Sequence, residues 1–288
     1  MKRSAKSMIS VERCSVMDMY EQLATLASKT TDYEIPIQKN VAWSLRAAPH
    51  ALISSNTGMG KSFFTLYLII MASIKNAILF LADPKRSDLA SLAAFMPPDR
   101  VAWEPGHICE MVSSVVDIMM ERYDYMKDER LHRGLFQADF ADFGLSVVLV
   151  VIEEMAAFVS LLDRKSREAF EANIKSITLQ GRQAGVMLIT IMQNPGSQNI
   201  STESRSQMGL RVYLGNSGGI EYRMIFGEGY TYPKRLFRPG QGLYMLAGQS
   251  ERPEVIETPR LDKSQLPATL ERALKTQFNI SPLPTVSL

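Results

Sequence analysis

The sequence predicts an α/β fold in which a mainly parallel sheet lies between helices. Three observations carry this expectation. Short runs such as "ALISS", "AILFLAD", "SVVLVVIEE" and "VMLITIMQ" are apolar on both faces, as strands covered from both sides must be. Segments of helical length alternate with these runs from residue 50 onward. At one strand–helix junction, "SSNTGMGKSFF" (54–64) contains most of a phosphate-binding loop.

In chain order, residues 1–45 are mixed and polar, with one helix expected around 15–28; they are expected to form an N-terminal arm or small helical appendage. Residues 46–260 hold the α/β unit. "ALISS" is read as a strand, 61–74 as a largely buried helix and "AILFLAD" as the next strand, followed by a loop containing "MPPDR" and the short strand "VAWE". A helix is expected over 107–127, and the polar run "DERLHRGLFQADFADFG" after it is expected to be an excursion. "SVVLVVIEE" is a strongly apolar strand ending in two acids. A helical region over 155–180, the strand "VMLITIMQ" and the short strands "LRVYLG" and "GLYMLAG" complete the unit. Residues 261–288 are read as a C-terminal helix and tail.

Composition is that of an ordinary globular protein, with 46% hydrophobic and 22% charged residues in 288 and a net charge of +2. That balance gives little support to nucleic-acid binding by total charge, although a local basic surface need not show in the sum. The stretch 63–82 has the length of a membrane span, but Lys75-Asn76 interrupts it, and a phosphate loop and "DPK" flank it. A buried helix followed by a buried strand is the better reading. The opening residues contain no apolar core of a secretory signal. Cys14 and Cys109 form no metal-ligand pattern and suit a reducing cytoplasm.

The phosphate-loop pattern is G-x-x-x-x-G-K-[ST] between a strand and a helix. Here Ser55 stands at the first glycine, followed by Asn56, Thr57, Gly58, Met59, Gly60, Lys61, Ser62 and then Phe63. Glycines let backbone N–H groups wrap phosphates without Cβ clashes, and the following helix adds the positive end of its dipole. Lys61 is expected to reach the phosphates and the Ser62 hydroxyl to ligate Mg²⁺. Ser55 endangers the loop only if its position requires φ > 0.

Nucleotide hydrolysis also needs an acid at the tip of a nearby strand to hold the metal, and a base to orient water. "VVLVVIEE" offers Glu153 for the metal and Glu154 for the base. Adjacent side chains on a strand face opposite ways, so both serve one site only if the strand ends there and the chain turns. Two acids capping a helix N-terminus is the plainer alternative. Gln193, at the end of "VMLITIMQ", is a candidate sensor of the terminal phosphate.

The order "SSNTGMGKS", "LFLADPKRSDL", "MMERYDYM", "VVLVVIEEMAAF", "LQGRQAGVMLITIMQNP" resembles the FtsK/SpoIIIE family of DNA-translocating ATPases, and more nearly the FtsK-like coupling or transfer proteins of conjugative transposons in Gram-positive bacteria. "MIFGEGYTYPKRLFRPGQGLYML" resembles the end of the same motor domain. The likeness runs from about His50 to Pro259, nearly three quarters of the chain. It implies a RecA-like P-loop NTPase, ATP with Mg²⁺, a ring of six subunits and DNA held without sequence preference in its pore. It also implies an arginine supplied by the neighbouring subunit, for which Arg182, Arg211 and Arg223 are candidates; a surface or structural arginine is the alternative for each. Lys85, Arg86 and the loop 194–209 are candidate DNA contacts, with a solvated loop as the plain alternative.

Glu153 stands where the family has aspartate. With no anchoring region before the motor and no DNA-reading domain after it, the expectation is a minimal cytoplasmic motor that relies on a relaxase, replication protein or membrane-anchor protein. A nucleotide-gated DNA- or protein-binding module with little hydrolysis is the competing function, favoured by Ser55 and Glu153. An unrelated small-molecule kinase is a third, but no arginine-rich lid supports it.

Overall fold

The computed structural model describes residues 17–193 and 202–283. Strands β1 (Glu34–Gln38) and β2 (Val41–Ser44) form an antiparallel hairpin. An eight-stranded sheet is built from β3 (Ala51–Ser55), β4 (Ile78–Ala82), β5 (Val101–Ala102), β6 (Val148–Glu153), β7 (Val186–Met192), β8 (Leu210–Leu214), β9 (Gln241–Leu246) and β10 (Glu254–Glu257). Its order is β10-β9-β8-β3-β7-β6-β4-β5, parallel from β5 to β8 and antiparallel at β9 and β10. The helices are α1 (Met19–Ala27), α2 (Lys61–Ile74), α3 (Pro105–Arg133), α4 (Met155–Val159), α5 (Arg164–Ala184), α6 (Thr202–Ser206), α7 (Ile220–Phe226) and α8 (Leu266–Leu274). The expected α/β class with a mainly parallel sheet between helices is what the chain forms.

Handedness decides which helix covers which face. The β3-α2-β4 connection runs one way across the sheet, whereas β5-α3-β6 and β6-α5-β7 run back. Right-handed crossovers therefore place α2 on one face and α3 with α5 on the other. The contacts agree: α3 packs along α5, while α2 packs against α1 and α8. Because α2 is sandwiched, its residues Phe64 to Ser73 are all buried, and its sequence is apolar all round rather than striped. Every residue of β3, β4 and β7 is buried, which explains their unbroken hydrophobic runs. The run at 63–82 is thus α2 followed by β4. Among the described residues no helix is long and apolar enough to cross a membrane.

The segments expected as an N-terminal arm and a C-terminal tail share this core. Ile35, Ile37 and Trp43 are fully buried, and the Tyr67 hydroxyl of α2 donates to the Pro36 carbonyl at 2.6 Å. Leu274 is fully buried, and the single turn after α8 (Lys275–Asn279) carries Gln277 beneath β4. The Gln277 side chain accepts from Leu79 N–H at 2.9 Å and donates to the Ala77 carbonyl at 2.9 Å and the Ser73 hydroxyl at 3.2 Å.

Four elements differ from the sequence expectation. The hairpin β1-β2 forms where the sequence pattern predicts a polar arm, and β10 forms where it predicts no strand. Helix α3 continues six residues beyond 127, to Arg133, and stops at Gly134 in the left-handed region (φ 64°). The region 155–180 is two helices, α4 and α5, separated at Asp163, whose side chain caps α5 by accepting from Ser166 N–H.

Replacing Gln277 with Ala should leave buried Leu79 N–H and Ala77 C=O groups unpaired. Urea denaturation is expected to show a loss of about 2–4 kcal/mol, with the fold retained.

Candidate nucleotide site

The chain leaves β3 and crosses past β7 and β6 before re-entering the sheet as β4. Such a switch opens a crevice at the carboxyl ends of the strands. Into it open a cavity of about 710 Å³ and the loop that follows β3. Ser55, Asn56, Thr57, Gly58, Gly60, Lys61, Ser62 and Phe63 all line this cavity; Met59 does not. Met59 is half-buried against the core and packs towards Gly215.

Ser55 is the last residue of β3, buried and paired in parallel register with Leu214. Its backbone is an ordinary strand backbone, absent from the positive-φ positions. The loop's left-handed positions are Gly58 (φ 77°) and Gly60 (φ 96°). A Cβ on Gly58 would meet nothing, so that glycine is needed for its conformation alone. A Cβ on Gly60 would also lie 3.1 Å from the backbone nitrogen of Gly240, whose N–H donates to the Met59 carbonyl at 2.9 Å. The turn before β9 therefore clamps the loop from behind.

β6 delivers the acids. Glu153 is its last residue, and Glu154 adopts φ 50°, a left-handed conformation uncommon outside glycine. That turn, fixed by a 2.7 Å hydrogen bond from Glu154 N–H to the Ile191 carbonyl, brings both carboxylates to one side. The Lys61 ammonium lies 3.0 Å from Glu154 and 3.8 Å from Glu153. Lys85 reaches the other Glu154 oxygen at 3.2 Å. The Ser87 hydroxyl donates to Glu153 at 3.1 Å. Asp83, fully buried at the end of β4, accepts from the N–H groups of Lys85, Ser87 and Ala90 and so fixes the segment that carries these side chains.

The two acids are driven apart in acidity. Burial pushes Glu153 above the usual carboxylate range, with nearby Asp83 adding to it against the pull of Lys61. Burial also opposes ionisation of Glu154, but the hydrogen-bonded ammonium groups of Lys61 and Lys85 outweigh it and hold Glu154 below that range.

Gln193 follows β7, the strand lying between β3 and β6; it is exposed and lines the cavity, and its carbonyl accepts from the Ser54 hydroxyl at 3.2 Å. The three candidate arginines lie elsewhere, and none lines the cavity. Arg182 is exposed at the end of α5, where β7 begins, the full length of that strand from Gln193. Arg211 is half-buried in β8, its Nε donating to the Met208 carbonyl at 3.2 Å, and burial lowers its pKa. Arg223 is exposed on α7, 3.7 Å from Glu228. Arg86, proposed with Lys85 for DNA, is ion-paired with Glu104. Residues 194–201 of the expected DNA loop lie outside the described residues.

Sequence reasoning missed Ser87 and the far wall, made of Pro239-Gly240, residues 257–261 and Lys263. Lys263 lies 5.1 Å over the Phe63 ring there. The Gly-x-Gly turn in "RPGQGL" was the available signal for the first of these.

The cavity size suits a small-molecule ligand. The residues fit a nucleoside triphosphate with a divalent cation: glycine backbone and Lys61 for the phosphates, and the Ser62 hydroxyl and Glu153 carboxylate beside them. Among the described residues no cluster of three or more metal-ligating side chains exists.

A strand–glycine loop–helix junction facing an acidic strand tip across an intervening strand defines a P-loop NTPase. Across 194 residues the chain is 34% identical to the FtsK domain-containing protein YdcQ of Bacillus subtilis, matching 67% of this chain and 40% of that protein. It is 26% identical over 230 residues to the DNA translocase FtsK of Lactococcus lactis, covering 72% of this chain and 29% of the translocase. Among solved structures, the conjugation coupling protein TcpA of pCW3 with ATPγS superposes with a TM-score of 0.68 at 15% identity, over 84% of this chain and 71% of that one. No protein-family model matches. The chain belongs to the FtsK/SpoIIIE family of P-loop ATPases. It spans less than half the length of the curated relatives it matches.

Ser55→Gly is expected to change ATP affinity by less than about threefold, because ordinary strand backbone gains little from glycine. Gly60→Ala should weaken it about tenfold or more, given the ~1–3 kcal/mol strain of a non-glycine residue in that conformation. Titration with a fluorescent ATP analogue reads both.

Proposed function

We propose that the chain is an ATP-driven DNA motor, a translocase or coupling ATPase acting in the transfer or processing of mobile-element DNA. The observation that carries the hydrolytic part is the pair of carboxylates, Glu153 and Glu154, both within 4 Å of the phosphate-loop Lys61 and lining the same cavity. DNA as the track rests on likeness to the FtsK translocases. Mobile-element transfer rests on the conjugation coupling protein that shares the fold.

In the proposed cycle, ATP enters with its phosphates on the 56–60 backbone and the N-terminus of α2. Lys61 then exchanges Glu154 for phosphate oxygens. The Ser62 hydroxyl and the Glu153 carboxylate would hold Mg²⁺, which would supply charge neutralisation at the transferring phosphoryl group. Glu154, kept ionised, accepts a hydrogen bond from the attacking water and takes its proton as the γ-phosphorus–oxygen bond to ADP breaks. Gln193 contacts the terminal phosphate and reports its loss. An arginine from a neighbouring subunit completes the charge balance in a six-membered ring, with Arg182, Arg211 and Arg223 as candidates. The motor works in the cytoplasm, where a relaxase, replication protein or membrane anchor brings it to its DNA.

One observation favours the second reading, a nucleotide-gated binding module with little turnover. Both oxygens of Glu154 are held by lysines, so the base is idle unless nucleotide draws Lys61 away.

ATP hydrolysis should be stimulated by DNA, and Lys61→Ala and Glu154→Gln should each lower kcat by about 100-fold or more. The Glu154→Gln protein should still bind ATP. ATP binding with no turnover under any DNA condition would replace the motor by the gated module.

A further inference from the structure

The segment between α7 and β9 holds a basic surface to which nothing above gives a role. Lys234, Arg235 and Arg238 are exposed within five residues, and among the described residues none of them is in an ion pair. Leu236, between them, is 87% exposed. Unpaired cations around a bare leucine are not what a loop needs for its own stability.

The loop has no helix or strand, yet it is held firmly. Phe237 is buried, and its backbone N–H and carbonyl are both bonded by the Asn216 side-chain amide, at 2.8 and 3.1 Å. The Arg235 guanidinium lies 5.1 Å over the Phe237 ring, which fixes that cation against the anchor. Presenting three cations from an anchored backbone lowers the ordering cost of binding an extended polyanion.

The same loop is wired to the nucleotide site. Two residues beyond Arg238, Gly240 donates to Met59 in the phosphate loop. Asn216 adjoins Gly215, which would carry any Cβ into Asn56 and Met59. A shift in the phosphate loop therefore meets the foot of the basic loop directly.

We propose that Lys234, Arg235 and Arg238 grip the phosphate backbone of nucleic acid, with Leu236 set against sugars or base edges, and that this loop carries changes at the phosphate loop to the bound strand. This rests on the DNA-motor reading but assigns contacts away from Lys85 and Arg86. The chemistry favours a polyanion: the cations read charge, and a single apolar tip between them is the kind of side chain that enters a groove. The likeness to FtsK DNA translocases favours nucleic acid over an anionic lipid surface, which would attract the same cations.

The test is a Lys234→Gln/Arg235→Gln/Arg238→Gln variant of the full chain, compared with the parent for binding to fluorescent duplex and single-stranded DNA across a salt series. DNA affinity at ~0.1 M salt should fall about tenfold or more, and the slope of log affinity against log salt should shrink by roughly 2–3. ATP affinity and DNA-free turnover should be unchanged, while DNA-stimulated turnover is lost. A Leu236→Ala variant should weaken DNA binding with an unchanged salt slope. Unchanged DNA affinity and slope in the triple variant would overturn the proposal. So would loss of ATP-dependent assembly without DNA in sedimentation velocity, which would make the loop a subunit contact. If the parent protein binds no DNA, the motor reading itself falls and takes this proposal with it.

Discussion

The Lys61 ammonium, set between two largely buried carboxylates, is the interaction on which the rest of the site depends. Three charged side chains that are each about nine-tenths shielded from water would be costly singly. Together they are tolerable, with Lys85 added at the rim. The arrangement is balanced for exchange rather than permanence. A triphosphate offers Lys61 a stronger partner, and a divalent cation arriving with it offers Glu153 a replacement positive charge. The opposite displacements of the two acids follow from this geometry: Glu154 has two direct cationic partners, whereas Glu153 has a distant lysine and the neighbouring Asp83.

The fold exists to hold those partners at that separation. Lys61 starts α2, the acids end β6, and β7 keeps the two apart while placing Gln193 between them. The loop's shape is fixed twice, by its own glycines and by Gly240 behind it. Helix α2 cannot retreat from the site, because α1 and the C-terminal α8 cover its outer side. The peripheral segments thus contribute rigidity to the chemistry although they carry none of it.

Much of this was legible in the sequence, for identifiable reasons. Strands buried on both faces leave unbroken apolar runs, and a phosphate loop needs glycine at fixed places. Ser55 could not be judged from sequence, since only backbone geometry shows that it sits in strand conformation. Glu154 can serve as a base only if the chain turns there; its φ of 50° supplies that turn, and no residue pattern announces it. The hairpin at 34–44 was hidden because "EIPIQKNVAWS" places its apolar residues against a core made by distant chain. β10 was hidden because "EVIE" is short and mostly exposed. Helix α3 was cut short because "DERLHR" is polar, and a helix end facing solvent needs no apolar stripe. The arginines expected to act across a subunit boundary have no partner in one chain to select among them.

The most direct test is a high-resolution structure with Mg²⁺ and a non-hydrolysable ATP analogue. The account predicts Lys61 Nζ on phosphate oxygens and released from Glu154, with the metal beside Ser62 and Glu153, and Glu154 still held by Lys85. A nucleotide bound away from the 56–60 loop, or Lys61 still paired with Glu154 beneath a bound triphosphate, would contradict it.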